Sequence, residues 1–141
     1  MEISENRLKH ILSVSRKAYQ IAKSRGYTEE FAQKCFMLGW IHDIGYEFSE
    51  TQSDHPQKSA ELLELVSDEA SKRAISEHGQ LTKTISPEYT ILTCADMLTD
   101  SKGRSVSAEE RLKDIAERYG RDSDVYNTAV QVCINIGLVN E

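Results

Sequence analysis

Apolar residues recur at helical spacing in nearly every segment of this chain, and that periodicity confines it to helices packed on helices. From residue 4 to 25, Leu8, Ile11, Leu12, Ala18, Tyr19 and Ala22 form one stripe, with Ser4 available to cap the start and Gly26 to stop the end. Thr28, followed by Glu29 and Glu30, opens a second helix whose Phe31, Cys35 and Leu38 share a face. That helix leads into His42 and Asp43. Ser49 to Asp54 is polar and aperiodic, which predicts a loop, and Pro56 then stands at a first helical position ahead of Ala60, Leu63 and Val66. Ser67 or Asp68 caps a short helix with Ala70, Ala74 and Ile75, ended by Gly79; Pro87 after Ser86 starts another with Leu92 and Ala95. Ser107 and Glu110 have the spacing of a capping box ahead of Leu112, Ile115, Ala116 and Tyr119, and a last helix is expected from Asp124 to Ile136.

Two segments pull the other way. Thr90 to Cys94 is rich in β-branched residues, and Val130, Val132, Ile134 and Ile136 alternate as a strand would. A lone strand would leave its backbone donors and acceptors unsatisfied, so both segments are expected to be helical. The expected fold class is all-α: a single compact, bundle-like domain over residues 1–141, built from six or seven helices. A chain of this length buries roughly 70% of the surface its unfolded form exposes, enough for one core.

Composition narrows the setting. With 39% hydrophobic and 28% charged residues, two prolines and seven glycines, the chain is neither disordered nor collagen-like. No stretch approaches the ~18 consecutive apolar residues of a membrane span, and Met1 to Asn6 lacks the basic-then-apolar pattern of a signal peptide, so a cytoplasmic protein is expected. A formal charge of −6 has the wrong sign for coating a nucleic acid, although a metal ion or a few local Lys and Arg can reverse the field inside one pocket. Cys35, Cys94 and Cys133 form no CxxC and sit among apolar neighbours, so buried reduced thiols are expected rather than disulfides or a thiolate metal site.

The chemistry-bearing residues are His10, His42, His55 and His78, with Asp43 and Asp96. Each histidine taken singly is compatible with an ordinary surface or core position. The aspartates are harder to place. Asp43 lies inside the apolar run Phe36 to Ile44, and Asp96 follows Ala95 on the stripe its helix should bury. Buried carboxylates need a cation or strong donors, and one shared positive ion would serve both. With that ion removed, the two carboxylates are expected to raise each other's pKa.

His10, the pair His42-Asp43 followed by Ile44-Gly45, and then His55, His78 and Asp96 resemble, in order and context, the HD superfamily of metal-dependent phosphohydrolases. Arg7-Leu-Lys-His10 resembles the family's first helix, Trp40-Ile-His-Asp-Ile-Gly45 its signature, and Cys94-Ala-Asp96-Met-Leu its closing aspartate; the likeness covers residues 7 to 100. It implies that His10, His42, Asp43 and Asp96 hold one divalent transition metal. In the two-ion branch Asp43 bridges and His55 and His78 complete the second site, and two ions are expected here. Mixed imidazole and carboxylate ligands suit Fe, Mn, Co, Ni or Zn, with Fe or Mn favoured. The implied activity is hydrolysis of a small phosphate ester or anhydride, such as a nucleotide or dinucleotide, by a metal-bound hydroxide that Asp43 helps orient.

The implied partner is thus a small anionic, phosphate-containing substrate, with Lys58, Lys102 and Arg104 as candidate phosphate contacts. Tyr46 stands where many members carry lysine. The size and six-ligand pattern are similar to compact bacterial members that cut dinucleoside tetraphosphates. The pocket is expected to open at 46 to 54, 79 to 87 and 99 to 106. Two other readings share the ligands: a di-iron oxygenase, and a non-catalytic helical binding module whose metal only staples the core.

Overall fold

Six side-chain oxygens set the helix starts. Ser4 accepts the N–H of Arg7, Thr28 that of Phe31, Asp68 that of Ser71, Ser86 that of Tyr89, Ser107 that of Glu110 and Ser123 that of Tyr126. Each satisfies a donor that the first turn of a helix leaves orphaned. The computed structural model describes residues 4–42, 68–83 and 85–140. Behind these caps run α1 (Glu5–Ser24), α2 (Glu29–Ile41), α3 (Glu69–Glu77), α4 (Pro87–Met97), α5 (Ala108–Tyr119) and α6 (Asp124–Asn135). The capping box at Ser107 and Glu110 is present in both directions. The loop Ser49 to Asp54 and the helix expected after Pro56 lie outside the described residues.

The domain is all-α. Among the described residues the one β-type pairing is an isolated antiparallel bridge between Thr99 and Ser105. Both strand-like segments are helical for a packing reason. In α4, Ile91, Leu92, Thr93, Cys94 and Ala95 are all buried, because this helix packs against α1, α2 and α3 and is apolar nearly all round. In α6, Ala129, Val132, Cys133 and Ile136 form a helical stripe that happens to contain part of the alternating pattern.

Among the described helices α1 and α2 make the most extensive contact, and their approach is set by Gly39. A Cβ there would stand 2.6 Å from Ser15 Cα, so only glycine lets the two backbones meet. The main core joins Val14 and Ala18 of α1, Cys35 and Leu38 of α2, Ala74 of α3, Ile91 and Leu92 of α4 and Val132 of α6. A second cluster of Met97, Leu112, Ala129 and Cys133 fastens α5 and α6 to the end of α4.

Leu8 departs from the expected stripe and is 38% exposed. The α2 helix ends where His42 meets His10, so among the described residues no helix covers the preceding turn of α1. Tyr119, also assigned to a buried stripe, is 58% exposed. The three cysteines are free and buried, as expected. Burial pushes the Cys35 thiol up to about 12 and the Cys133 thiol to about 11.

Candidate metal centre

Three helices converge on one point. The first half of α1 carries His10, the C-cap of α2 is His42, and the last turn of α4 carries Asp96. His10 Nε2 lies 2.9 Å and His42 Nε2 3.3 Å from the same oxygen, Asp96 Oδ1. Three potential ligand atoms, one from each residue, fall within 4.8 Å of one another. Both histidines are buried, and the Asp96 side chain keeps 21% exposure. His78, the C-cap of α3, is beside them, its ring meeting that of His42 edge-on at 5.1 Å.

The rings are held by their other nitrogens. Nδ1 donates to a backbone carbonyl in each case: His10 to Asp100 at 2.8 Å, His42 to Gly39 at 2.6 Å and His78 to Ile75 at 2.6 Å. A carbonyl oxygen can only accept, so the Nδ1 atoms carry the protons. In the neutral ring Nε2 then presents a lone pair, and His10 and His42 aim theirs at a carboxylate that also has only lone pairs to offer. A cation reconciles the three. This imidazole–carboxylate donor set fits a first-row divalent ion, and the carbonyl contacts are the supports that orient metal-binding histidines.

Asp96 does not behave as expected for an apo site. Burial pushes its pKa upward, but with a proton on each Nε2 the His10 and His42 rings donate to the carboxylate, outweigh burial and hold the carboxyl well below the usual carboxylate range. The expected mutual rise of Asp43 and Asp96 is therefore corrected for Asp96, because two imidazoles face it directly; Asp43 lies outside the described residues.

The segment after α4 locks His10 in place. Besides accepting from His10, Asp100 takes the N–H groups of Lys102 and Arg104 on Oδ1, both at 2.9 Å, and Arg104 Nε on Oδ2 at 2.7 Å. Gly103, with φ +81°, brings this turn against α1, where Ser13 Oγ donates to its carbonyl at 2.6 Å. A Cβ at Gly103 would stand 2.5 Å from the Lys9 carbonyl oxygen.

The structure thus gathers His10, His42, His78 and Asp96 from the expected site residues. Lys102 is an exposed residue of the Asp100 turn, and the Arg104 guanidinium is engaged by Asp100. Asp43, His55 and Lys58 lie outside the described residues. A cleft of about 620 Å³ opens on His10 and Asp96, lined also by Arg7, Ser101, Arg111 and Tyr119. Of the three expected openings, 99 to 106 contributes Ser101, and 46 to 54 lies outside the described residues. No described residue of 79 to 87 lines this cleft, whose other wall is α5.

The family model of the HD domain matches residues 7–122. The chain belongs to the HD domain family. No curated protein and no solved structure matches it. HD domains are largely metal-dependent hydrolases, and the His10, His42 and Asp96 cluster is consistent with that membership. The HD match runs past residue 100, where the sequence likeness stops, and takes in the whole of α5. Arg111 and Tyr119 were not assigned to the site from sequence. Their signal, a cation and an aromatic on one amphipathic helix, is shared by most surface helices.

Proposed function

We propose that this HD domain hydrolyses a small phosphate ester or anhydride, a nucleotide or dinucleotide being the favoured class, with divalent metal bound at His10, His42, Asp43 and Asp96. The observation that carries this reading is the convergence of His10 Nε2, His42 Nε2 and Asp96 Oδ1 beside a cleft on which His10 and Asp96 open. An ion that only stapled the core would be closed off by protein. A bound divalent ion supplies Lewis acidity at a phosphoryl oxygen and lowers the pKa of coordinated water toward neutrality. The chain's own residues do the positioning: carbonyls of Asp100 and Gly39 fix the two rings, and Asp96 offers the carboxylate they share.

Asp43, next to His42 in sequence, is proposed to bridge a pair of ions, with His55 and His78 on the second. The ring of His78 beside His42 supports this arrangement. Iron or manganese is the favoured metal, and Lys58, Lys102 and Arg104 are candidate phosphate contacts. No described helix is long and apolar enough to cross a membrane, and three free thiols agree with a cytoplasmic setting.

The test is elemental analysis of protein purified without chelator or nickel affinity, followed by a phosphate-release screen over nucleotides and simple phosphoesters. Metal-dependent release carries the proposal. Bound metal without turnover points to the staple, and turnover lost without oxygen to the oxygenase.

A further inference from the structure

Arg111 has an uncommon position for an arginine. It lies on α5 directly before the buried Leu112 and lines the cleft that ends at His10 and Asp96. Its Nε is shielded from solvent, yet it has no hydrogen-bond partner among the described residues, and no described carboxylate pairs with the guanidinium. The planar fork of Arg matches the oxygens of a phosphate, and no described carboxylate already occupies it. Arg7 lines the same cleft. At the rim stands Tyr119, two turns further along α5 and 58% exposed, a flat apolar face beside the cationic one.

We propose that Arg111 holds the substrate's phosphate in this cleft while Tyr119 carries an aromatic group of the same molecule, so that the site selects nucleoside monophosphates and similar aromatic phosphoesters over aliphatic ones. The assignment rests on the reading of the cleft as a phosphohydrolase site. It adds α5 to a site otherwise built from α1, α2, α3 and α4. Ser101 and Asn6, also in the lining, offer further polar groups to a phosphate or sugar.

Calorimetric titration of AMP and of ribose 5-phosphate into the metal-loaded protein tests it, alongside metal content and thermal melts. Wild type is expected to bind AMP more tightly than ribose 5-phosphate. Arg111→Met keeps the apolar stem and should weaken both ligands by about 10- to 100-fold at unchanged metal content, the range of a charge-assisted hydrogen bond. Arg111→Lys, which keeps the charge and loses the fork, should fall between, and serves if the methionine variant melts early. Tyr119→Ala should weaken AMP alone, by about 5-fold or more, as expected for lost stacking.

Affinities within twofold of wild type in both Arg111 variants overturn the phosphate role, as does a wild type that binds neither probe. Equal affinity of wild type for AMP and ribose 5-phosphate overturns the role of Tyr119. Arg111-dependent binding without phosphate release from any ester defeats the hydrolase reading and leaves this assignment standing. Metal-dependent release with an unchanged KM in Arg111→Met does the reverse.

Discussion

His10 Nε2 lies 2.9 Å from Asp96 Oδ1 although 86 positions separate the two residues in the chain. That contact closes α1 onto the end of α4, and the turn that follows α4 returns to hold the other face of the same ring through the Asp100 carbonyl. One imidazole is thereby clamped from both sides by a single stretch of chain. The geometry of the candidate metal centre depends on this closure more than on any pair of sequence neighbours.

Removing the carboxylate should therefore uncouple metal from stability. Wild type with saturating divalent metal is expected to melt several degrees above the chelated protein, since ligand at about 100 times its Kd stabilises by about 2.7 kcal/mol. Asp96→Asn should shrink that interval sharply and abolish phosphate release. A variant with an undiminished melt shift would remove Asp96 from the ligand set.

Acid stability of the chelated protein should report the same carboxylate. The folded pKa of Asp96 is lowered, so its ionic contribution is fully present above the unfolded value of about 3.9 and is lost as pH falls through that value toward the folded one. Urea midpoints of the wild type should drop more steeply between about pH 5 and about pH 3 than those of Asp96→Asn. Parallel curves would show that the two imidazoles do not stabilise the charged carboxyl.

Gly39→Ala tests the approach of α1 to α2. The new Cβ would sit 2.6 Å from Ser15 Cα and 2.7 Å from Ser15 N, both backbone atoms that cannot turn aside. A loss of about 1–3 kcal/mol, or more, is expected from urea denaturation. Because His10 and His42 sit on the two helices being forced apart, weaker metal binding should accompany it. Metal titration at a temperature where the variant is still folded reads that second effect.

Lys34 ties three elements together, meeting Glu88 of α4 at 2.8 Å and Asp68, the N-cap of α3, at 3.1 Å. Burial pulls its pKa down, but the two carboxylates outweigh burial and the pKa is raised overall. Lys34→Met would leave the largely buried Glu88 carboxylate uncompensated and should cost about 1–3 kcal/mol. Adding Glu88→Gln should recover part of that loss, and a double-mutant cycle in urea measures the recovery.

The helix boundaries were largely legible in the sequence because capping is local. Ser4, Thr28, Ser86 and Ser107 each act within three residues, so a short window contains the whole cause. The choice of helix in Thr90 to Cys94 was legible on another ground, since no other segment of the sequence reads as a strand to pair with it. The identities of His10, His42 and Asp96 as candidate ligands were also readable, from ordered spacing and from the cost of an aspartate on an apolar stripe.

What sequence did not yield was which surfaces border those ligands. Leu8 and Tyr119 were assigned to buried faces by periodicity, and both are exposed, because periodicity names a face without saying whether another helix lies over it. The Nδ1 contacts to carbonyls of Gly39, Ile75 and Asp100 involve backbone atoms, which every residue has and no residue type announces. Arg111 entered the cleft because Met97, Leu112 and Cys133 pack α5 beside the end of α4, an arrangement set by contacts between distant segments. Local chemistry chose the helices and the candidate ligands, whereas burial and long-range packing decided which side chains share the site, because those terms depend on neighbours that no short window of sequence contains.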